Sequence, residues 1–396
     1  MDQGKTIRQA RDFEIPRCVA NLRYYADLVK NYHEISTELE GPIAAQSVTR
    51  HEPLGVVGII IPWNLPLYLL TWKVAPALIM GNCVVAKPSE WTSLTAYKLS
   101  QLVKDAGFPE GALNIVFGYG HEVGQAIVEH PSIRAISFTG GTVTGRKIAA
   151  GAAILGKKVS LELGGKNPGI IFADCIEDLD TTVAACIKSS FANQGQICLC
   201  TSRIYVENTI YDRFLDKFTT ATKALKVGDP FDEAIDLGAI VSAEHQKKIL
   251  SYIEAAKEQN ATIICGGEKM SCIVGHEGGF FVQPTVIANI PHNSPIIQEE
   301  IFGPVVTVIP FESEEEVVRL ANDVSYGLAA SVWTKNGKRA QRVARQIKSG
   351  VVWINCWMIR DLATPFGGVK ASGYGREGGS YSLEFFSDIK VITSAL

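Results

Sequence analysis

The sequence predicts an α/β protein with parallel sheets, and three observations lead to that fold class. Short apolar runs alternate with helix-like segments over most of the chain, as in residues 56–61 and 92–106. Such alternation is typical of βαβ units, in which helices cover both faces of a parallel sheet. The chain of 396 residues is long enough for two or three domains. Hydrophobic residues make up 46% of it, as in an ordinary globular protein with large cores.

Four apolar runs in the first part of the chain are predicted to be buried strands: residues 56–61, 83–86, 113–117 and 135–138. Helix-like patterns at residues 92–106 and 123–129 fill two of the intervals. The apolar stretch 55–72 could be mistaken for a membrane span, but Pro62, Asn64 and Pro66 interrupt it. We therefore interpret this stretch as a buried strand, a turn and the start of a helix.

A second α/β set of predicted strands follows, at residues 169–172, 203–206, 261–264, 305–310, 330–333 and 351–355. Ser313-Glu314-Glu315-Glu316 is a capping-box pattern that predicts the start of a helix at residues 317–322. No internal repeat or low-complexity linker separates the two sets. Gly164-Gly165 is the predicted hinge between them.

Composition and charge argue against several classes of function. A net charge of -3 gives no general attraction to nucleic acid or to anionic membranes. Residues 1–5 lack the apolar core of a signal peptide. Nine cysteines, an odd number in a long chain without a secretory signal, predict free thiols and a cytoplasmic location. The histidines show no metal-ligand spacing, and Cys198-Leu199-Cys200 lacks a second cysteine pair, so no metal site is predicted.

One basic run near the C-terminal end is predicted to be the solvated side of a single helix. No stacking aromatic residues interleave with it, so this interpretation is favoured over nucleic-acid binding. Its members are Lys335, Lys338, Arg339, Arg342, Arg345 and Lys348.

Two short motifs carry groups suited to covalent chemistry. The stretch F-A-N-Q-G-Q-I-C, residues 191–198, puts Cys198 just beyond a small polar turn that contains a glycine. The stretch E-L-G-G-K, residues 162–166, supplies the carboxylate of Glu162 and a flexible glycine pair. A thiol is a strong nucleophile at neutral pH, and a positioned carboxylate activates water, so together they suit thioester formation and hydrolysis. The competing interpretation makes Cys198 a small buried hydrophobic residue.

Two further motifs are candidates for binding phosphate and ribose. Thr139–Gly145 is a glycine turn between a strand and a helix, where backbone N–H groups and the helix dipole favour an anion. It is not a Walker A loop, because Arg146 and Lys147 follow Gly145, and a plain tight turn is the alternative. Lys87 and Glu90 follow a buried strand, where they either bind a ribose diol or form a surface ion pair.

In their order along the chain these motifs resemble those of the NAD(P)-dependent aldehyde dehydrogenases. The resemblance runs from about residue 10 to the C-terminus, and several ordered motifs carry it. They are Pro62-Trp63-Asn64-Leu65-Pro66, residues 87–90, 138–145, 162–166 and 191–198, Glu299-Glu300-Ile301-Phe302-Gly303-Pro304 and the stretch P-F-G-G-V-K-A-S-G at residues 365–373.

The resemblance implies two Rossmann-like domains and a small oligomerisation hairpin. It assigns residues 1–31 and 54–164 to an NAD-binding domain, 165–372 to a catalytic domain, and 32–53 with 373–396 to oligomerisation elements of a homodimer or homotetramer. Family members carry a substantial segment before the equivalent of Asp2, so an N-terminally shortened cofactor domain is expected. A catalytically inactive protein that acts by association therefore stays open as a second hypothesis.

The family's chemistry implies a role for three residues. Cys198 attacks the aldehyde as its thiolate, and we expect a helix N-terminus or a cationic cofactor nearby to lower the pKa of Cys198. Asn64 and the backbone N–H of Cys198 match the donors that stabilise the resulting oxyanion. Glu162 matches the carboxylate that activates water to release the acid, and it argues against the coenzyme-A-acylating relatives.

The resemblance also assigns the cofactor ligands. Lys87 and Glu90 match the adenosine-ribose ligands, and the Glu90 carboxylate is expected to repel a 2′-phosphate, so NAD is predicted over NADP. Trp63 and the loop containing Gly140 and Gly141 match the pyrophosphate site. Gly141 replaces a common serine there, which puts one hydrogen bond in doubt. Glu300 matches the residue that binds the nicotinamide ribose, and Phe302 matches the residue that contacts the nicotinamide ring.

Two arginines predict the kind of aldehyde. Arg17 and Arg360 fall at positions that are apolar in relatives acting on apolar aldehydes. A guanidinium in such a tunnel suits a substrate carboxylate, although each could be a surface arginine. The stretches around residues 189–195 and 355–361 look closest to family members that oxidise amino- or hydroxymuconic semialdehydes, the former in the kynurenine branch of tryptophan breakdown. A neutral aldehyde is the alternative substrate.

Overall fold

The computed structural model describes residues 2–270, 273 and 275–396. In chain order its α-helices are α1 (Ile7–Gln9), α2 (Ile15–Leu28), α3 (Pro66–Ile79), α4 (Leu94–Asp105), α5 (Gln125–Glu129), α6 (Thr142–Ile154), α7 (Leu179–Phe191), α8 (Asn208–Lys223), α9 (Ala243–Glu258), α10 (Pro295–Gln298), α11 (Glu314–Asn322), α12 (Gly337–Gln346) and α13 (Gly379–Phe385).

The strands in the same order are β1 (Ser36–Leu39), β2 (Ala45–Pro53), β3 (Val56–Ile60), β4 (Cys83–Lys87), β5 (Leu113–Ile115), β6 (Ile133–Thr139), β7 (Lys158–Glu162), β8 (Asn167–Ile171), β9 (Thr201–Glu207), β10 (Thr262–Cys265), β11 (Lys269–Met270), β12 (Phe281–Val282), β13 (Thr285–Ala288), β14 (Val305–Phe311), β15 (Tyr326–Gly327), β16 (Ala329–Trp333), β17 (Val351–Ile354), β18 (Val369–Lys370), β19 (Gly373–Tyr374) and β20 (Ser387–Ala395).

The chain divides into two compact units. The larger unit comprises the described residues up to Phe13 together with Glu162–Arg360 and Gly367–Tyr374. The smaller unit comprises Glu14–Leu161, Asp361–Phe366 and Gly375–Leu396. This division differs from the predicted ranges at the N-terminal end, where residues up to Phe13 group with the larger unit. The functional roles given to those ranges stay predictions.

The core of the larger unit is a sheet with the strand order β10-β13-β14-β9-β8-β16-β17. All of its neighbouring pairs are parallel except β10 with β13, so the parallel prediction is wrong for that edge strand. All five residues of β8 are buried, as expected for a strand covered on both faces. Ile170 packs in the cluster that includes Val317 of α11, whereas Ile171 packs in the cluster that includes Phe214 of α8.

The smaller unit contains a second sheet, in which β7, β6, β3, β4 and β5 lie side by side in that order. β3 pairs in parallel with both β6 and β4, and β4 pairs in parallel with β5. Val57 and Ile59 of β3 are fully buried and pack with Leu70 and Val74 of α3.

Within the described residues, no helix combines the length and the apolar character needed to cross a bilayer.

The predicted oligomerisation segments form a separate three-stranded sheet in the smaller unit. β2 pairs antiparallel with β1 and, from Ala45↔Ala395 to Pro53↔Ser387, with β20. Its strands expose large apolar side chains, among them Leu39, Val391 and Ile392. The assignment of these strands to oligomerisation stays a prediction.

Local signals in the sequence set several helix boundaries. Ser313 caps α11 by accepting from the Glu316 backbone N–H at 3.2 Å, as the capping-box pattern predicts. α6 begins at Thr142, inside the stretch predicted as the Thr139–Gly145 loop, with Gly141 as its N-cap residue. The loop is therefore shorter than expected, because the positions after Gly141 already adopt helical geometry.

The basic run lies on and beside α12, where several of its members pair with carboxylates. Arg342 makes a bidentate contact with Glu314, at 2.6 and 2.8 Å. Lys335 contacts Glu177 and Asp178, each at 2.8 Å. These exposed pairs agree with the prediction of a solvated helix face.

The eight described cysteines are free, and Cys272 lies outside the described residues.

Candidate active site

Three loops of the larger unit meet at the amino-terminal edge of its sheet. They are residues 162–166 before β8, 192–200 before β9 and 299–304 before β14. Because β8, β9 and β14 are parallel neighbours, the loops that precede them are also neighbours. This brings Glu162, Cys198 and Glu300 of the predicted site together. Ligands of open α/β sheets usually bind at the opposite, carboxyl-terminal edge.

The loop that carries Cys198 has an unusual backbone conformation. Asn193, Gln194 and Gly195 follow one another at φ values of 52°, 57° and 69°. The left-handed region costs roughly 1–2 kcal/mol for a residue such as glutamine. Hydrogen bonds offset that cost: the Gln194 side chain donates to the Ala239 carbonyl at 2.8 Å, and the Asn193 side chain donates to its own turn.

Gly195 is required by space as well as by conformation. A Cβ atom at this position would collide with the Gly303 carbonyl. At this point the loop that carries Cys198 and the loop that carries Glu300 therefore approach each other backbone to backbone. A side chain at Gly195 would push the two loops apart.

Asn167 fixes the Cys198 loop to the sheet, a role that sequence reasoning missed. Its side-chain amide donates to the carbonyls of Cys198 at 2.7 Å and Cys200 at 2.8 Å. Its Oδ1 accepts from the Ala329 backbone N–H of β16 at 3.0 Å. Trp357 adds a further anchor, because its indole N–H donates to the Leu199 carbonyl at 2.9 Å. The only sequence signal was an amide residue directly after the E-L-G-G-K motif.

The glycine pair of that motif accommodates Glu300. The Gly165 backbone N–H donates to Glu300 Oε1 at 2.8 Å. A Cβ atom at Gly164 would collide with the same carboxylate. Neither glycine has a positive φ, so the pair provides room for a close approach rather than a special turn.

One face of α9 holds the loop of residues 299–302 at three points, and we call His245, Lys248 and Tyr252 the α9 clamp. His245 Nε2 donates to the Phe302 carbonyl at 2.7 Å, and Lys248 Nζ donates to the Glu300 carbonyl at 3.1 Å. The Tyr252 hydroxyl donates to the Glu299 carboxylate at 2.6 Å. Residues spaced three and four apart share a helix face, which explains how one helix makes all three contacts.

The clamp stabilises a strained backbone. Phe302 adopts a φ of 61°, and its ring meets the His245 ring edge to face at a centroid distance of 6.0 Å. Burial lowers the pKa of His245 to about 4, so the imidazole is neutral near pH 7. Because a carbonyl accepts from Nε2, the proton of the neutral ring must lie on that nitrogen.

The protein's own groups around Cys198 raise its pKa, which is opposite to the direction expected from a helix N-terminus or a cationic cofactor. Cys198 lies in the loop between the C-terminal end of α7 and the start of β9, so it does not itself stand at the N-terminus of a helix. Burial raises the pKa of the Cys198 thiol, and the carboxylates of Glu300 and Glu162 raise it further. Arg360 opposes them with a smaller effect. The thiol is thus protonated at neutral pH unless a base or a further positive charge acts on it.

Lys166 ends the E-L-G-G-K motif in the same unit. Burial, followed by the nearby charge of Arg203, lowers the pKa of Lys166 to about 7. Arg203 is itself buried, and its Nε donates to the Lys166 carbonyl at 2.9 Å. The two basic side chains are thus held in a region where charge is costly.

The residues predicted to bind the cofactor's adenosine and pyrophosphate groups lie at one edge of the smaller unit's sheet. Trp63 follows β3, Lys87 ends β4, and Gly140 follows β6. Because β6, β3 and β4 are parallel neighbours, these segments emerge side by side at the carboxyl-terminal edge. That edge is where nucleotides bind in doubly wound sheets.

Lys87 and Glu90 form an ion pair at this edge. Lys87 is only 2% exposed, and its Nζ donates to the Pro88 carbonyl at 2.9 Å and to Glu90 Oε2 at 3.4 Å. Glu90 is exposed. The pair proposed from the sequence is therefore present, and its position beside Trp63 and Gly140 is compatible with ribose binding.

The N-terminus of α6 offers donors to an anion. The helix begins after Gly141 without a side-chain cap, so its first N–H groups lack that partner. The hydroxyls of Thr139 and Thr142 are buried and, among the residues that the structure describes, have no hydrogen-bond partner. A Cβ atom at Gly140 would collide with the Phe138 ring, so this glycine allows the ring to pack beneath the loop. The residues present fit a pyrophosphate group.

The remaining predicted residues are placed as follows. Asn64 is 3% exposed in the loop before α3, where Pro66 occupies the first helical position. Arg17 lies in the first turns of α2 in the smaller unit, with its guanidinium 5.7 Å from the Tyr68 ring centroid. Arg360 is half-buried at the end of the larger unit's segment.

A buried polar cluster in the smaller unit was not predicted. Lys73 forms an ion pair with Glu377 and donates to the Ser137 hydroxyl at 2.9 Å. Glu377 also accepts from the Trp72 indole at 2.7 Å and from Ser137 at 3.1 Å. The cluster joins α3 and β6 to a segment much further along the chain, because Ser137 and Glu377 are 240 positions apart.

Comparison with known proteins gives consistent results. Residues 1–392 match the sequence profile of the aldehyde dehydrogenase family. The 2-aminomuconic semialdehyde dehydrogenase of Homo sapiens is 51% identical over 394 residues, which are 99% of this chain and 80% of that protein. The 2-hydroxymuconic semialdehyde dehydrogenase of Pseudomonas sp. (strain CF600) is 46% identical over 395 residues, 99% of this chain and 81% of that protein.

A solved structure supports the same assignment. The NAD+ complex of an aldehyde dehydrogenase from Bacillus cereus matches with a TM-score of 0.95 and 42% identity. The match covers 100% of this chain and 79% of that one. The motif order, the sheet topology and the matched length agree, and the chain belongs to the aldehyde dehydrogenase family.

Proposed function

We propose that this chain catalyses the NAD-dependent oxidation of an aldehyde to a carboxylic acid through a thioester on Cys198. The observation that carries the proposal is the meeting of the Cys198 and Glu162 loops at one sheet edge, beside Glu300. A nucleophile and a water-activating carboxylate on adjacent loops are what acyl transfer to water requires.

Cys198 Sγ adds to the aldehyde carbon, and its proton leaves to a base. Because burial raises the pKa of Cys198, that base must lie close by, and we assign the role to Glu162. The oxygen of the adduct becomes an oxyanion, which accepts hydrogen bonds from the Asn64 side chain and the Cys198 backbone N–H. Loss of hydride from the same carbon leaves a thioester. Glu162 gives up the thiol's proton to solvent and, as a carboxylate again, removes a proton from water, which attacks the thioester. The departing sulfur takes that proton from Glu162, and the acid and the free thiol are released.

NAD, when bound, supplies the acceptor for that hydride. We assign the adenosine ribose to Lys87 and Glu90, and the pyrophosphate to the α6 N-terminus with Trp63, Gly140 and Gly141. Glu300 and Phe302 are assigned to the nicotinamide end. The exposed Glu90 carboxylate would lie beside a 2′-phosphate, so NAD is favoured over NADP. Comparable kcat/KM values with the two cofactors would refute this preference.

We further propose a substrate that carries a carboxylate, with 2-aminomuconate 6-semialdehyde as the first candidate. Arg17 and Arg360 support this choice, because an arginine binds a carboxylate in a bidentate manner. The names of the relatives in Homo sapiens and Pseudomonas point to the same class. Such a reaction would lie in the kynurenine branch of tryptophan breakdown. The second candidate is 2-hydroxymuconic semialdehyde, as in the strain CF600 relative.

The deciding experiment measures NADH formation with a panel of semialdehyde acids and neutral aldehydes. A carboxylate-bearing semialdehyde should give the highest kcat/KM. Replacing Arg17 and Arg360 by glutamine should raise KM strongly for the semialdehyde acids and little for neutral aldehydes. Equal effects on both classes of substrate would reject the substrate proposal while leaving the oxidation itself intact.

The alternative, an inactive protein that acts by association, makes a different prediction for the same preparation. A cooperative melting curve without NAD-dependent oxidation of any aldehyde would favour it. An active protein that loses all turnover in Cys198→Ser would exclude it.

We also propose that the three-stranded sheet of β1, β2 and β20 forms a homodimer or homotetramer contact, since its strands expose apolar side chains.

A further inference from the structure

A small cavity lies between the Cys198 loop and the loop that carries Glu300. Its volume is about 20 Å³, and the space needed for one water molecule is about 10–15 Å³ on this measure. The cavity is lined by residues of both loops, including Cys198, Glu300 and Gly303. Ser190 at the end of α7 and Ser202 in β9 complete its wall.

The two serines give the cavity its chemical character. Ser190 is 3% exposed, and its hydroxyl oxygen is buried. The Ser202 hydroxyl oxygen is buried as well, and within the described residues neither hydroxyl has a hydrogen-bond partner. Buried polar atoms in folded proteins nearly always have a partner, either a protein atom or an ordered water.

Two neighbouring hydroxyls, in contrast, have partners within the protein. Ser189 precedes Ser190 and is equally buried, but its hydroxyl donates to the Cys186 carbonyl at 3.0 Å within α7. Thr307 in β14, next to β9, also uses its hydroxyl, which donates to the Ser202 carbonyl at 3.3 Å. Of these four hydroxyls, the two without a protein partner belong to residues that line the cavity.

We propose that one water molecule occupies this cavity, bonded to the hydroxyls of Ser190 and Ser202, as a fixed part of the loop that carries Cys198. A cavity lined only by apolar atoms stays dry, whereas one with two or more polar partners holds water. The water joins the C-terminal end of α7 to the start of β9, the two elements that flank Cys198 in the sequence. It thereby fixes both ends of the nucleophile loop at one point.

A crystal structure of the full chain at a resolution that shows ordered solvent tests the occupancy. We expect one peak of water density within about 2.7–3.2 Å of both hydroxyl oxygens. An empty cavity, or a direct hydrogen bond between the two serines, would overturn the proposal. A peak with shorter contacts to several oxygens would identify a metal cation instead and would likewise reject a water.

A double-mutant cycle tests the bridge in solution. Ser190→Ala and Ser202→Ala should each lower the melting temperature, and the double variant should be little worse than either, because one lost hydroxyl already releases the water. Ser189→Ala combined with Ser202→Ala is the matched control and should give additive shifts. Additive shifts in the Ser190 and Ser202 pair would overturn the bridge.

The reactivity of Cys198 gives a readout that a general loss of stability would not move. The rate of Cys198 alkylation by iodoacetamide, measured well below the melting temperature, should change by about fivefold in both cavity variants, as one lost hydrogen bond to the loop would produce. The double variant should show the same factor, and Ser189→Ala should match the unaltered chain. Unchanged alkylation in both cavity variants would show that the site does not fix the loop.

Discussion

Replacing His245 by alanine tests whether the α9 clamp prepares the loop of residues 299–302 for the cofactor. The change removes the 2.7 Å hydrogen bond to the Phe302 carbonyl and the edge-to-face contact with its ring. Phe302 then has less to hold it at a φ of 61°, a conformation uncommon for residues other than glycine. We expect the loop to relax toward an ordinary backbone conformation in which the Phe302 ring is displaced.

The expected magnitude follows from those contacts. A hydrogen bond to a buried carbonyl together with a ring contact is worth about 2 kcal/mol. If this energy is used to hold the nicotinamide-binding conformation, NAD affinity should fall by about 30-fold. The aldehyde KM should change little at saturating NAD, because the substituted side chain acts through the backbone of Phe302.

The assay is calorimetric titration of NAD into the unaltered chain and its variants. His245→Gln keeps a side-chain N–H donor and should retain most of the affinity, and Lys247→Ala is an exposed control on the same helix. A lower melting temperature in His245→Ala with unchanged NAD affinity would refute the reasoning, because the clamp would then support only the fold. Equal losses in His245→Ala and Lys247→Ala would refute it as well.

Three further predictions concern other parts of the two units. Glu377→Gln should lower the free energy of unfolding by about 3–5 kcal/mol in chemical denaturation, because it leaves the Lys73 ammonium buried beside a neutral side chain; an unchanged midpoint would contradict this. Asn167→Ala removes two hydrogen bonds to the Cys198 loop and should lower kcat by about 30-fold with little change in NAD affinity, and a normal kcat would argue against the anchoring role. The pKa of His245 is lowered from 6.5 to about 4 in the folded chain, so unfolding takes up a proton in that interval. The melting temperature should therefore fall as pH drops from 6.5 toward 4, and the slope should be smaller in His245→Gln.

The order of the motifs predicted the family and the fold class, but it did not predict why the reacting loops meet. Buried apolar runs identify β8, β9 and β14 as strands, since period and composition are local properties. Their side-by-side order depends on pairing between segments far apart in the chain. The convergence of Glu162, Cys198 and Glu300 thus required the family resemblance or the structure.

The residues whose roles the sequence did not predict have one physical property in common. Asn167, His245 and Trp357 act on backbone carbonyls that lie far away in sequence, at separations from 31 residues for Asn167 to 158 for Trp357. A side chain that bonds a distant carbonyl leaves no local spacing to recognise. The raised pKa of Cys198 could not be predicted for a related reason, because burial and the neighbouring carboxylates arise only from the tertiary fold.

The backbone contact between Gly195 and Gly303 has a consequence for how mutations can change the substrate selectivity of this protein. A methyl group at Gly195 has no room beside the Gly303 carbonyl, so the close approach of the two loops at this point requires a residue without a side chain. Replacing Arg360, the proposed contact to the substrate carboxylate, leaves this backbone approach unchanged. The backbone contact therefore stays the same when surrounding side chains are replaced. Substrate selectivity can then be engineered without a change in the spacing of the two loops at Gly195.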